Sequence, residues 1–226
     1  MQWTRHRPFV PSVVLDRLDR VSLRRAALQY AAHGWAVTPG ARRIGQRFAC
    51  ERPGCPIMTC HPALESWADT ASTDAGVVGA WWRRRPYTVL LATGGAVDAL
   101  EVPAALGLRA LGMARLHSGL LGAERADVRG PVAVTAGGRW LFLVRPGVPL
   151  RSELDHRLDV VRHGRDSWIP VPPNRMIEGP VRWAVAPEQT GWRLPDAAIV
   201  QALLVDAIGA VGAPRPAVVP RQMTRA

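Results

Sequence analysis

The stretch that most constrains the fold is residues 130–147, GPVAVTAGGRWLFLVRPG. Its two apolar runs are divided by Gly137 and Gly138, and such runs joined by a glycine-containing turn predict an antiparallel β-hairpin. Other short apolar runs bounded by glycine or proline predict further strands, in the segments YTVLLATG, RLDVVRHG, SWIPVPP and VRWAVAP. Hairpins are therefore predicted to dominate the second half of the chain, in a largely antiparallel sheet.

The first half carries helical patterns instead. Ser22 is the predicted N-cap of a first helix, SLRRAALQYAA, which Gly34 ends. A second predicted helix, STDAGVVGAWWRRR, stops at Pro86, and another, PDAAIVQALLVDAIGA, lies near the C-terminus. Residues 94–107 predict a short strand that ends at Glu101 and runs into a helix. Helices followed by hairpins predict an α+β fold.

One folded unit is the default for 226 residues of which 48% are hydrophobic. We predict that this unit covers residues 21–210, after a basic irregular segment at 1–20 and before a disordered Pro- and Arg-rich tail at 211–226. The sequence has no run of about 18 apolar residues and no signal-peptide core. It thus predicts a cytoplasmic protein without a membrane partner.

The formal net charge of +11 points to a polyanionic partner, because clustered guanidinium groups bind phosphates and release counterions. The basic residues are all arginine, with no lysine, and arginine favours bidentate phosphate contacts. The alternative explanation is a GC-rich genome, which also enriches arginine, alanine, glycine and proline. Nucleic acid is the predicted partner.

Residues 40–66 predict a loop rich in arginine, proline and cysteine. The loop holds Cys50, Cys55, Cys60 and His61, which are enough thiolate and imidazole groups for one tetrahedral zinc ion. Because Cys60 and His61 are adjacent, one of the two is expected to be idle. The alternative is a set of free thiols in a surface loop. A catalytic cysteine is disfavoured, since no base and orienting acid lie nearby in the sequence.

Several segments occur in the order of one known family. They are ALQYAAHGWAVTPG, HPALESWADTASTDAGVVGAWWRRRPYTVLLATG, AVDALEVP, TAGGRWLFLVRPG, and LDVVRHG together with IPVPPN. This set spans most of residues 23–187 and resembles the bifunctional DNA primase/polymerase domain of the archaeo-eukaryotic primase superfamily. The resemblance implies an N-terminal α/β module packed on a largely antiparallel module that resembles an RNA-recognition motif. It also implies primer extension from nucleoside triphosphates with divalent metal ions, Mg²⁺ or Mn²⁺.

The family's catalytic pattern is an acid-x-acid motif at a strand end, a His after a Gly-Gly turn, and a hydrophobic residue followed by Asp on a neighbouring strand. Position by position, Glu101 matches the first acid and Asp159 the last, whereas Pro103 replaces the second acid and Trp140 the His. Acids at i and i+2 of a strand share a face, as a two-metal site requires. Asp98 is expected to face the other way. Glu101 and Asp159 are the predicted catalytic residues of an impaired site.

Side chains on the predicted hairpin at 130–147 and on its neighbouring strand are predicted to contact nucleotide or nucleic acid: Arg139, Trp140, Arg145, Arg162 and Arg165. The alternative for these arginines is a solvated sheet edge that charge protects. Trp168 joins Trp140 as a candidate for stacking on bases. The tryptophans assigned to the core are Trp35, Trp67, Trp81 and Trp183.

The predicted function is that of a DNA primase/polymerase-like protein with impaired nucleotidyl transfer. Its predicted ligands are nucleic acid, with DNA preferred to RNA, and nucleoside triphosphates. The alternative is a non-catalytic, zinc-stabilised nucleic-acid-binding or regulatory module on the same scaffold. A helicase is not indicated, since the sequence contains no phosphate-binding GxxxxGK[ST] loop.

Overall fold

The computed structural model of the chain describes residues 12–120 and 129–210. The helices in these ranges are α1 (Ser12–Ala32), α2 (Trp67–Thr70), α3 (Ala75–Arg84), α4 (Ala104–Leu120), α5 (Ser152–Asp155) and α6 (Ala197–Gly209). The strands are β1 (Val37–Gly40), β2 (Arg42–Ile44), β3 (Arg47–Ala49), β4 (Thr88–Ala92), β5 (Asp98–Pro103), β6 (Val132–Val134), β7 (Arg139–Val144), β8 (Val161–His163), β9 (Trp168–Pro170) and β10 (Arg182–Val185). A short 3-10 helix covers Pro187–Thr190.

The strands form one three-stranded sheet, one five-stranded sheet and one separate hairpin. The three-stranded sheet has the order β1-β4-β9, the five-stranded sheet has the order β10-β6-β7-β5-β8, and the hairpin joins β2 to β3. Every strand pair described is antiparallel. The predicted α+β fold with a largely antiparallel sheet is confirmed.

The five-stranded sheet separates two hydrophobic cores because successive side chains along a strand point to opposite faces. On one face, Ala99 and Leu141 belong to the core that α1, α3 and the three-stranded sheet share. On the other face, Leu100 and Val102 pack in a second core with α4 and α6. Glu101 lies on the first face, since it has the parity of Ala99.

The N-terminal prediction was wrong about where the first helix begins. The helix starts at Ser12, so residues 12–20 are helical rather than irregular, and Ser22 lies inside the helix. A side-chain N-cap is present at the start of α3, where the Asp74 carboxylate accepts a hydrogen bond of 2.8 Å from the Val77 amide. The segments 1–11 and 211–226 lie outside the described residues.

The loop predicted at residues 40–66 contains regular structure that the sequence pattern did not reveal. Its first part forms the β2–β3 hairpin, and Trp67–Thr70 after it forms the short helix α2. Strands of three residues with exposed arginines give no alternating apolar signal, which is why the pattern predicted a loop. None of the described helices has the length and apolar character needed to cross a membrane.

Candidate functional site

Glu101 lies near the end of β5, between β7 and β8. The register places Leu141 of β7 on one side of Glu101 and Val161 of β8 on the other. Two residues further along the same face, Pro103 lies opposite Arg139. The strand end predicted from the sequence therefore exists, and β5 leads directly into α4 after Pro103.

Both carboxylate oxygens of Glu101 are bound by neighbouring side chains. Arg139 Nε donates to Oε1 at 2.6 Å, and His163 Nε2 lies 2.8 Å from Oε2. The Glu101 side chain is 23% exposed, so water screens these contacts only in part. The other ring nitrogen of His163 lies 3.0 Å from Ser167 Oγ. We call Glu101, Arg139 and His163 the Glu101 network.

The network changes the acidity of its carboxyl group. The hydrogen bond from His163 lowers the pKa of Glu101, burial opposes this shift, and Arg139 adds to the lowering. A depressed pKa means that the folded state favours the ionised carboxylate. Glu101 is thus an anion held between donors, in the manner of a structural ion pair.

The substitution Glu101→Gln is expected to destabilise the protein at neutral pH and to matter less in acid. A carboxyl with a depressed folded pKa stabilises the protein above its unfolded pKa, near the ordinary 4.5, and this stabilisation is lost as pH falls through the folded pKa. Loss of the charged hydrogen bonds should cost about 1.5–3 kcal/mol at pH 7. Urea unfolding at pH 7 and in the acid range measures the difference. Glu153→Gln, at an exposed carboxylate, is the control; an equal loss for both variants would contradict the prediction.

Asp159 lies just before β8 and meets the network through its backbone. Arg139 Nη2 donates to the Asp159 carbonyl oxygen at 2.9 Å. The carboxylate instead accepts two hydrogen bonds from Arg157, at 3.0 and 2.8 Å, and this guanidinium holds the pKa of Asp159 below its ordinary value. Glu101 and Asp159 are therefore linked by Arg139, and each carboxylate has a separate cationic partner.

Asp98 points to the opposite face of β5, as its odd spacing from Glu101 predicts. Its side chain is 1% exposed and accepts hydrogen bonds from Arg162 Nη2 at 2.7 Å and from the Gly147 amide at 3.2 Å. The Arg162 guanidinium is thus paired with a buried carboxylate of the protein itself. Arg145 pairs with Asp196 at 3.0 Å on a more exposed surface.

Arg165 lies in the turn that connects the five-stranded sheet to the three-stranded sheet. This side chain is exposed and borders a cavity of about 240 Å³ together with Trp67 and Gly94. Gly94 has a φ of +92°, and a Cβ added there would lie 2.3 Å from Arg165 Cα, so only glycine fits. Trp67, assigned to the core from the sequence, is half-buried at the edge of this cavity.

Trp140 lies in the second core and not beside Glu101. Its ring packs on α4 where a Cβ at Gly107 would lie 2.6 Å from it, and the side chain is 7% exposed. Its strand partner is Val102, whose side chain shares that face. Within GGRW, the side chain that contacts Glu101 is that of Arg139. Strand alternation in the sequence predicts only that Arg139 and Trp140 face opposite ways, and His163 carried no signal of its own.

A second cluster forms in the cysteine-rich loop. The ligand atoms of Cys50, Cys55 and His61 all lie within 4.8 Å of one another, and we call these residues the metal cluster. His61 is buried, and its Nδ1 donates to the Thr59 carbonyl oxygen at 2.7 Å. This bond leaves Nε2, 3.5 Å from Cys55 Sγ, as the nitrogen with a free lone pair. The cluster could hold a metal ion.

The thiols of the loop differ in acidity and position. Burial raises the pKa of Cys50, but hydrogen bonds with His61, Arg52 and Cys55 outweigh it and bring the pKa to about 6. Burial raises the pKa of Cys60 to about 12, and its sulfur lies 3.9 Å from Thr88 Oγ1, away from the cluster. Of the adjacent pair Cys60 and His61, the structure therefore brings His61 to the other thiols.

A comparison with known protein families matches residues 27–197 to the N-terminal domain described as bifunctional DNA primase/polymerase. The chain belongs to this family. The match runs from α1 to the start of α6, so it includes both the Glu101 network and the metal cluster, and the family predicted from the sequence is confirmed. No curated protein matches the chain.

Membership of the primase/polymerase family implies Mg²⁺ or Mn²⁺ held by carboxylates, but the side chains around Glu101 do not fit such ions. Both Glu101 oxygens are already bound. Pro103 has no ligand atom, the residue opposite Glu101 on β8 is Val161, and the Asp159 carboxylate is held by Arg157. Within the described ranges, the metal cluster is the one group of three His, Cys, Asp or Glu residues with ligand atoms this close.

Proposed function

We propose that this primase/polymerase-family domain binds nucleic acid and has impaired nucleotidyl transfer. The observation that carries the proposal is the Glu101 network. The one acid on this face of β5 is occupied by Arg139 and His163, and its i+2 neighbour is Pro103. Two-metal catalysis needs several carboxylate oxygens that are free to bind two metal ions. Here the Arg139 guanidinium is bound to the one carboxylate instead.

The charge of the domain supports the binding half of the proposal. The net charge is +11, and several arginines of the described chain have no carboxylate within ion-pair distance. Members of this set with exposed side chains include Arg43, Arg47, Arg83, Arg84 and Arg165. Unpaired guanidinium groups are free to bind phosphates of DNA or of a nucleoside triphosphate.

We propose zinc as the ion of the metal cluster. Two thiolates and one imidazole suit zinc better than they suit Mg²⁺ or Ca²⁺, which prefer oxygen ligands. The cluster lies in a loop remote in sequence from Glu101, so we assign the ion a structural role. Cys50, Cys55 and His61 would hold it, with the low pKa of Cys50 supplying a thiolate at neutral pH.

Binding and synthesis are tested on the same labelled primer–template DNA. We expect binding whose log K falls linearly with log salt, with a slope of several units, because phosphate contacts release counterions. Extension with nucleoside triphosphates and Mg²⁺ or Mn²⁺ should not exceed the control without protein. Efficient extension would contradict the impaired site. Absence of binding at low salt would contradict the nucleic-acid role.

A further inference from the structure

The β2–β3 hairpin carries an unpaired basic surface that the Glu101 network and the metal cluster leave unexplained. We propose that this hairpin binds the phosphate backbone of duplex DNA. The inference rests on the proposed nucleic-acid binding and names a surface for it. Its arginines, Arg42, Arg43 and Arg47, lie outside the set that the sequence analysis predicted to contact nucleotide or nucleic acid.

The hairpin is a two-stranded ribbon. β2 pairs only with β3, through the register Arg43↔Phe48 and Ile44↔Arg47. The turn is made by Gly45, with φ +61°, and Gln46, and the tip from Arg43 to Arg47 is exposed. A two-stranded ribbon of this kind fits into the major groove of duplex DNA.

The base of the hairpin is fixed on both strands. Phe48 is 2% exposed, and its amide donates to the Met58 carbonyl oxygen at 2.8 Å. On the other strand, the Ala41 amide, next to Arg42, donates to the His61 carbonyl oxygen at 2.7 Å. The loop that carries the metal cluster therefore holds both strands, and the exposed tip is a preorganised surface.

The charge of the hairpin has no internal counterpart in the described chain. Its three arginines form no ion pair with a described carboxylate, whereas Arg139, Arg145, Arg151, Arg157 and Arg162 all do. Arg43 Nε donates only to the Gly45 carbonyl oxygen of its own turn, at 2.9 Å. A neighbouring cavity of about 210 Å³ is bordered by Arg43 and Arg175 and by a single acid, Asp19. The surface as a whole is cationic.

Duplex DNA fits this surface better than a single strand does. Proteins that bind single strands stack bases on aromatic side chains. The one aromatic residue of the hairpin, Phe48, is buried, so the tip presents the guanidinium groups of Arg43 and Arg47 beside Ile44 and Gln46, with no aromatic ring. Guanidinium groups recognise phosphates without reading the bases, and we expect binding without sequence preference.

The test compares two triple variants that each remove three positive charges. One is Arg42→Gln, Arg43→Gln and Arg47→Gln; the matched control is Arg115→Gln, Arg182→Gln and Arg193→Gln, at exposed arginines without ion pairs outside the hairpin. Duplex affinity is measured by fluorescence anisotropy across a salt series. The hairpin variant should bind about 10- to 100-fold more weakly at low salt, with the slope of log K against log salt smaller by about 2–3, and the control should change little.

The outcomes separate this inference from the proposed function. If the parent binds duplex DNA and both variants lose the same affinity, the hairpin is not a binding surface and the proposed function stands. A hairpin variant that loses binding to single-stranded DNA but retains binding to duplex DNA also overturns the inference. If the parent binds no DNA at low salt, the proposed function fails and the inference falls with it. Arg47→Glu, a single exposed change, repeats the test if the triple variant misfolds.

Discussion

Replacing both Cys50 and Cys55 with alanine is expected to remove the bound metal from the protein. The parent should carry about one zinc ion per chain and the variant close to none, because an imidazole alone does not retain the ion. At a free metal concentration 1,000 times the Kd, a metal that binds only the folded state stabilises it by about 4 kcal/mol. For a chain of this size, such a loss lowers Tm by roughly 8–16 °C. Elemental analysis and thermal unfolding measure the two effects.

Cys60 provides the matched control within the same loop. Its side chain is partly buried beside Thr88 and does not belong to the metal cluster. Cys60→Ala should therefore keep the full metal content, and its stability loss should be only that of a small apolar truncation. Equal metal loss from Cys60→Ala, or full metal retention by the double variant, would show that the ligand set is different.

Restoring carboxylates around Glu101 is expected to raise nucleotidyl transfer. Pro103→Asp returns the i+2 acid, and Val161→Asp adds one opposite Glu101 on β8. The carboxylate introduced by Pro103→Asp would pair with Arg139 directly across the strands, so Arg139→His is needed to remove that cation. One well-placed group typically changes the rate by about 10²- to 10³-fold. We expect the triple variant to extend a primer with Mg²⁺ or Mn²⁺ at least about 100-fold faster than its parent.

Two comparisons make this result specific. Adding Glu101→Gln to the triple variant should abolish the gain, since Glu101 would then be one of the required ligands. Pro103→Asp alone should produce little gain, because Arg139 would neutralise the new acid. All three positions are at least partly accessible, so the variants should fold. A folded triple variant that neither extends a primer nor binds a metal–nucleotide complex better than its parent would show that these positions do not form a site.

Local sequence signals determined the order of elements in this protein. Glycine pairs at 94–95 and 137–138 place the strand ends, because glycine adopts the backbone conformations that tight turns need. The apolar runs between them identify strands whatever their partners are. The ordered set of such segments was enough to identify the family, which the match over residues 27–197 confirms.

Only the tertiary structure decided which way the side chains face and what they bind. Alternation along β7 fixes that Arg139 and Trp140 point to opposite faces, but pairing with β5 and packing against α4 decide which face each one takes. His163 meets Glu101 because β8 pairs beside β5 across a long chain separation. His61, and not the adjacent Cys60, lies beside Cys50 and Cys55 because the loop folds back on the hairpin. Such contacts depend on register and on loop closure, which no local pattern of residues encodes.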